Sequence, residues 1–191
     1  MARVIKRKAR KDYPANGIAK GDDYFFCQIK TGPRSSRVMR SKTPFKQSQL
    51  TTSPFKSGFL AAQEEWDGSD KQPDDMRAAG EAIREIGQEC QGSFDNMPEG
   101  LQQGETGQLL ENRASECERI ADELDGFADE FEGLEEPVEP DDVPDLDGDN
   151  ADAITEAQEE HDEYQLALAE YDEAEMALIA SADEAIGDMP E

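Results

Sequence analysis

Six basic residues crowd the first eleven positions: Arg3, Lys6, Arg7, Lys8, Arg10 and Lys11. Shortly afterwards Tyr24 and Phe26 share one face of a period-2 segment, and Arg37 and Arg40 come next. Cations that neutralise phosphates, beside ring faces on which bases stack, are the chemistry of nucleic-acid binding. Stacking contributes about 1–3 kcal/mol per base and suits single strands, whose π-faces are open. The expected roles are phosphate contact for the six N-terminal cations, with Arg37 and Arg40 in support and Tyr24 and Phe26 stacking. Two plainer readings compete: the rings are hairpin core and the cations only solvate it, or the basic segment docks on the chain's own acid.

Other chemistry finds less to work with. His161 is the single histidine, so no Ser/His/Asp or Cys/His system has a second partner, and its place on an apolar seam favours a semi-buried packing role. Cys27, Cys90 and Cys117 are odd in number and far apart, which suits reduced, buried core residues rather than a disulfide framework or a zinc element. There is no phosphate-binding G-x-x-x-x-G-K-[ST] loop, and Gly17 to Asp22 has nothing of the G-x-G-x-x-G kind. Asp145, Asp147, Asp149 and Glu156 fall at calcium-loop spacing, but Asn150 replaces the glycine, Asp152 stands where an apolar residue belongs, and prolines replace the incoming helix. The expectation is no catalytic residue, no metal site and no cofactor.

Charge divides the chain. Residues 1–60 carry 14 Lys/Arg against Asp12, Asp22 and Asp23, a balance of +11; residues 61–191 carry 5 against 43 carboxylates, −38, which together make the net −27. Opposed blocks attract within about 10 Å at ~0.1 M salt, so the acidic part can compete with a polyanion for the basic part. The carboxylates of Glu156, Glu159, Glu160, Asp162, Glu163, Glu170, Asp172, Glu173 and Glu175 also admit another reading, a helix that imitates a phosphate backbone or recruits a protein partner. With 36% hydrophobic residues against an average near ~45–50%, the 191-residue chain has one small core at most and is partly disordered in expectation. No stretch approaches the ~20 apolar residues of a membrane span. The basic start lacks the apolar run of a signal peptide, so a cytoplasmic protein without membrane contact is expected.

The elements that must position these residues are legible from spacing. Residues 1–16 read as a basic arm and residues 17–46 as a β-hairpin turning at Thr31-Gly32-Pro33. Two strands alone are marginal, so the hairpin is expected to pack on the helices after it. Residues 53–131 carry three amphipathic stripes: Phe55, Phe59, Ala62 and Trp66 after the Ser53-Pro54 start; Met76, Ala79, Ile83, Ile86 and Cys90; and Leu110 through Phe131. Gly80 and Gly87 each cost a helix about 1 kcal/mol, which a close helical neighbour would explain. Residues 132–150, with Pro137, Pro140, Pro144 and nine carboxylates, read as a linker. Residues 151–182 read as an acidic amphipathic helix whose seam (Ile154, Tyr164, Leu168, Tyr171, Leu178) needs a partner: a second copy, the chain's own bundle or another protein. The fold class is α+β, mainly α, with the hairpin on a small helical bundle, then the linker and the long acidic helix.

Several stretches occur together: Lys8-Ala-Arg-Lys-Asp-Tyr-Pro14, Gly17-Ile-Ala-Lys-Gly-Asp22, Ser41-Lys-Thr-Pro44, Ser48-Gln-Leu-Thr51, and Asn96-Met-Pro-Glu-Gly-Leu-Gln-Gln103 leading into Gly107-Gln-Leu-Leu-Glu-Asn-Arg113. They resemble a group of small proteins encoded by tailed bacteriophages and prophages, over residues 4–125 and not the acidic tail. The resemblance brings no activity and no site residue. It implies a bacterial cytoplasm during infection and partners in phage or host nucleic-acid processes. The resulting expectation is a non-enzymatic accessory protein that binds nucleic acid through its basic region and is modulated by its acidic tail. The alternatives are an acidic, DNA-mimic-like inhibitor of a host or phage protein, and a coiled-coil assembly factor that forms homo-oligomers through its last helix.

Overall fold

The computed structural model describes residues 3–140 and 151–190, with side chains from residue 158 onward in the last segment. The chain is α+β and mainly helical. Three antiparallel strands, β1 (Arg3–Lys8), β2 (Asp23–Lys30) and β3 (Ser36–Ser41), form one sheet with β2 in the centre. The basic arm is therefore not free: residues 3–8 pair with β2 from Arg3 opposite Gln28 to Lys8 opposite Asp23. Composition hid this strand, because the ladder bonds are made by backbone while the long cationic side chains stand in solvent. Both β1 and β3 are edges, and basic side chains on an edge oppose pairing with another chain.

Between β1 and β2 the chain folds into a compact turn. Tyr13 and Ile18 exchange backbone hydrogen bonds of 2.8 and 3.2 Å around a 3-10 turn at Pro14–Asn16. Gly17 (φ 64°) and Gly21 (φ 98°) take left-handed conformations that side chains disfavour. Ala9, Ile18 and Tyr24 are buried together here, with Tyr13 and Phe26 packed against them. This cluster is separate from the helical core and gives one face of the sheet a local core of its own, while Cys27 and Ile29 on the other face are buried as well. The tie to the helices is the 3-10 turn Gln47–Leu50, where Ser48 donates from its backbone N–H (3.1 Å) and its hydroxyl (2.6 Å) to Glu64.

The helices are α1 (Pro54–Trp66), α2 (Pro73–Asp95), a single turn α3 (Glu99–Gln102), α4 (Glu105–Glu132) and α5 (Ala151–Gly187). Ser53 caps α1 by accepting from the Lys56 N–H, and Pro54 occupies the first position, where no donor is missed. All three expected stripes face the core: Phe59, Met76, Ile83, Ile120 and Leu124 are fully enclosed, Ile86 and Leu110 are partly buried beside them, and fully burying a side chain of this size contributes about 1.5–3 kcal/mol. The two helix-interior glycines have their reason in α4. A Cβ on Gly80 would lie 3.2 Å from the Ala121 carbonyl, and one on Gly87 would lie 2.8 Å from the Cys117 Cβ. The pairing runs antiparallel, and Arg77 (to Asp129 and Glu132) and Arg84 (to Asp122 and Asp125) stitch its outer side.

The end of α5 completes this bundle. Ala182 and Ile186 are buried in the same core, with Leu178, Ile179, Ala185 and Met189 packed beside them. Trp66 Nε1–H donates to Asp183 at 2.7 Å, Lys71 Nζ donates to both Asp183 oxygens at 2.6 and 2.9 Å, and Gln63 Nε2 donates to the Ile186 carbonyl at 2.6 Å. The helix thus runs beyond the expected end at residue 182 because its last turns are core. Of the three partners weighed for the seam, the chain's own bundle takes Leu178. Tyr164, Leu168 and Tyr171 are half-buried, and the side chain of Ile154 lies outside the described residues. His161 is exposed rather than seated in the seam.

Candidate nucleic-acid interface

Register decides which basic residues stand together. Side chains directly opposite across an antiparallel ladder share a face. Arg7 is paired with Tyr24, Ile5 with Phe26, Phe26 with Arg40, Arg3 with Gln28, and Gln28 with Val38. One face therefore carries Arg3, Arg7, Tyr24, Phe26 and Arg40. The other takes Lys6 opposite Phe25, Lys8 opposite Asp23 and Arg37 opposite Ile29. Arg10 and Lys11 belong to the turn after β1. The ten expected contact residues are thus divided between two faces and a turn.

On the first face cations and rings alternate. The Arg7 guanidinium lies 4.3 Å from the Phe26 ring centre, and that of Arg40 lies 5.7 Å from it. Arg40 also sits 4.5 Å over Tyr13, whose ring has Lys11 Nζ at 5.7 Å. Such contacts contribute about 0.5–1 kcal/mol each at exposed sites, enough to bias long side chains toward one arrangement. The Asn16 amide adds a bond of 3.0 Å to the Arg40 carbonyl, tying the turn to β3. Tyr24 departs from expectation: it is buried at the centre of the local core, 5.8 Å from Tyr13 ring to ring, and supports the face rather than stacking from it. Phe26 is half-buried and keeps its place at the surface.

Tyr13 and Lys20 join the site without having been expected there. The signal that points to them is the pair of positive-φ glycines, Gly17 and Gly21, which fold the turn back onto the sheet.

The three carboxylates of the basic segment are all spent on structure. Asp12 accepts the Lys20 N–H at 2.6 Å. Asp22 accepts the Ala19 N–H at 3.0 Å and pairs with Lys42 at 3.0 Å. The Ala19 hydrogen bond, seconded by Lys42, holds the Asp22 carboxyl below its usual range. Asp23 lies 3.7 Å from Lys6. Among the described residues no carboxylate comes within ion-pair distance of Arg3, Arg7, Lys8, Arg10, Lys11, Lys20 or Arg40. The positive charge of these seven residues is left without a carboxylate partner.

The comparisons add no relative. The chain matches no family model, no curated protein and no solved structure. The site rests on its own geometry. Elsewhere the three cysteines are free and buried, and burial pushes the Cys117 thiol up to about 12 and that of Cys90 in the same direction. Among the described residues no cluster of three or more metal-binding side chains occurs, and no helix is long and apolar enough to cross a membrane. Asp145, Asp147, Asp149, Asn150 and Glu156 of the calcium-like spacing lie outside the residues whose side chains are described.

Proposed function

We propose that this protein binds single-stranded nucleic acid on the sheet face formed by Arg3, Arg7, Phe26 and Arg40, extended by Tyr13, Arg10 and Lys11 in the adjoining turn. The observation that carries the reading is the alternation of guanidinium groups and rings with no carboxylate in reach. Guanidinium groups laid over rings present planar donors to phosphates, and the same planes and rings accept unpaired bases.

The acidic remainder serves this function at a distance. In the described part of α5 the ion pair is Asp183 with Lys71, on the bundle; none reaches the sheet. Its exposed carboxylates from Glu159 to Glu173 repel a polyanion from the body and confine binding to the basic end. Because Ala182 and Ile186 are core, this modulation is tested with charge-neutral variants of the exposed residues, not by truncation.

The experiment is fluorescence anisotropy of full-length protein with labelled single- and double-stranded DNA and RNA across a salt series. Binding that prefers single strands, with log K falling linearly in log[salt], supports the reading. Neutralising Glu159, Glu160, Asp162, Glu163, Glu170 and Glu173 to Gln or Asn should tighten it. No binding at low salt overturns it.

A further inference from the structure

Where β1 runs into its turn, the sheet face ends in a cleft of about 810 Å³. Arg7, Lys8, Arg10, Lys20, Tyr13 and Tyr24 line it, with Gly21 at its margin. A volume in the range of small-molecule sites holds more than a bare inorganic anion. Lys8 sends its side chain to the reverse face, so the lining offers three cations, Arg7, Arg10 and Lys20, and no carboxylate. The one acid nearby in sequence, Asp12, is committed to the Lys20 backbone at 2.6 Å, which fixes the turn without neutralising the Lys20 ammonium. Like charges gathered around one cleft repel one another, and an anion seated among them relieves that repulsion. The position matters as much as the charge: Arg7 belongs both to this cleft and to the strip over Phe26, so the two are continuous.

From these observations we infer that the cleft is a seat for a terminal phosphate monoester, the phosphorylated end of the strand that lies on the sheet face. This rests on the reading of that face as a single-strand surface. A monoester carries about −1.5 to −2 charge near neutral pH and three unesterified acceptor oxygens, against one charge and two such oxygens for an internal diester. Lys20 supplies the donor proper to the cleft, Arg7 and Arg10 join it to the strip, and Tyr13 walls the terminal nucleotide.

The test uses full-length protein and three probes: a short oligothymidylate with a 5′-phosphate, the same oligomer with a 5′-hydroxyl, and the 5′-hydroxyl oligomer one nucleotide longer. The phosphorylated probe should bind about tenfold tighter than both others, the worth of roughly one added charge-assisted hydrogen bond. Lys20→Gln should erase that preference while the hydroxyl probe keeps most of its affinity, and Lys20→Arg should restore part of it. Phe26→Ala should weaken all three probes together. Equal affinity for the phosphorylated and hydroxyl ends, or a longer hydroxyl oligomer that matches the phosphorylated one, overturns the inference and leaves the sheet-face reading standing. If no oligomer binds, calorimetry with thymidine 5′-monophosphate decides the cleft by itself: uptake lost in Lys20→Gln upholds it, and no uptake overturns it.

Discussion

Removing three guanidinium groups from one face of the sheet should change the salt dependence of binding in a way that removing three cations from the other face does not. Arg3, Arg7 and Arg40 stand together with Phe26, while Lys6, Lys8 and Arg37 stand on the reverse. Arg3, Arg7, Arg40, Arg10 and Lys11 offer contact to about five phosphates, for which single-strand counterion release gives a slope of log K on log[salt] near −3.5. Between about 50 and 200 mM salt, affinity should then fall about a hundredfold. With Arg3, Arg7 and Arg40 all changed to Gln, about two contacts remain, the slope drops to near −1.4, and the same interval costs only about sevenfold. The Lys6/Lys8/Arg37→Gln protein loses the same formal charge but keeps the contacts, so its slope stays near −3.5 although its absolute affinity declines somewhat. Anisotropy titrations of both triple variants at matched concentrations decide the matter, with thermal melts to confirm that each retains the fold. Equal slopes in the two variants would refute the assignment of the face and reduce the interaction to net charge.

Packing sets three further outcomes. Gly87→Ala places its methyl 2.8 Å from the Cys117 Cβ and should lower stability by about 1–2 kcal/mol despite the better helix propensity, whereas Gly126→Ala, with open space around it on α4, should raise it by about 0.5–1 kcal/mol in urea unfolding. Burial pushes the Asp183 carboxyl up, but bonds from Lys71 and Trp66 outweigh it and leave it below the usual range. Its contribution to stability is therefore full above about pH 4, the unfolded value, and is lost as pH falls through the lower folded value, so Asp183→Asn should destabilise at neutral pH and flatten the acid limb of a stability-versus-pH curve. Cys90 and Cys117, buried and with raised pKa, should resist a thiol reagent at about pH 8 in the native protein and react as denaturant opens the bundle; immediate reaction in buffer would show that the α2–α4 seam is open.

Helical periodicity survives translation into structure because each stripe needs only one neighbour of any kind. Phe55 to Trp66 and Met76 to Cys90 are buried along the spacings read from the chain, and Gly80 and Gly87 sit where α4 comes closest. The Ser53-Pro54 start is equally local, since a cap bonds within its own first turn. Strand β1 was not legible in this way: a ladder bond joins residues some twenty positions apart, and nothing in a basic hexapeptide announces the free edge of β2 that receives it. The burial of Tyr24 has the same long-range origin, because the Tyr13–Ile18 turn folds over it.

Charge separation, helix stripes and the identity of the basic residues were determined by the sequence alone, since each depends on residue type and short-range spacing. Tertiary structure decided which of those cations stand together. Strand register set Arg3, Arg7 and Arg40 beside Phe26 and sent Lys6, Lys8 and Arg37 to the opposite face, because successive side chains alternate and a shift of one residue would exchange the two sets. The end of the acidic helix depends on tertiary structure too: its last turns meet the apolar edge of the bundle, and Ala182 and Ile186 leave water there.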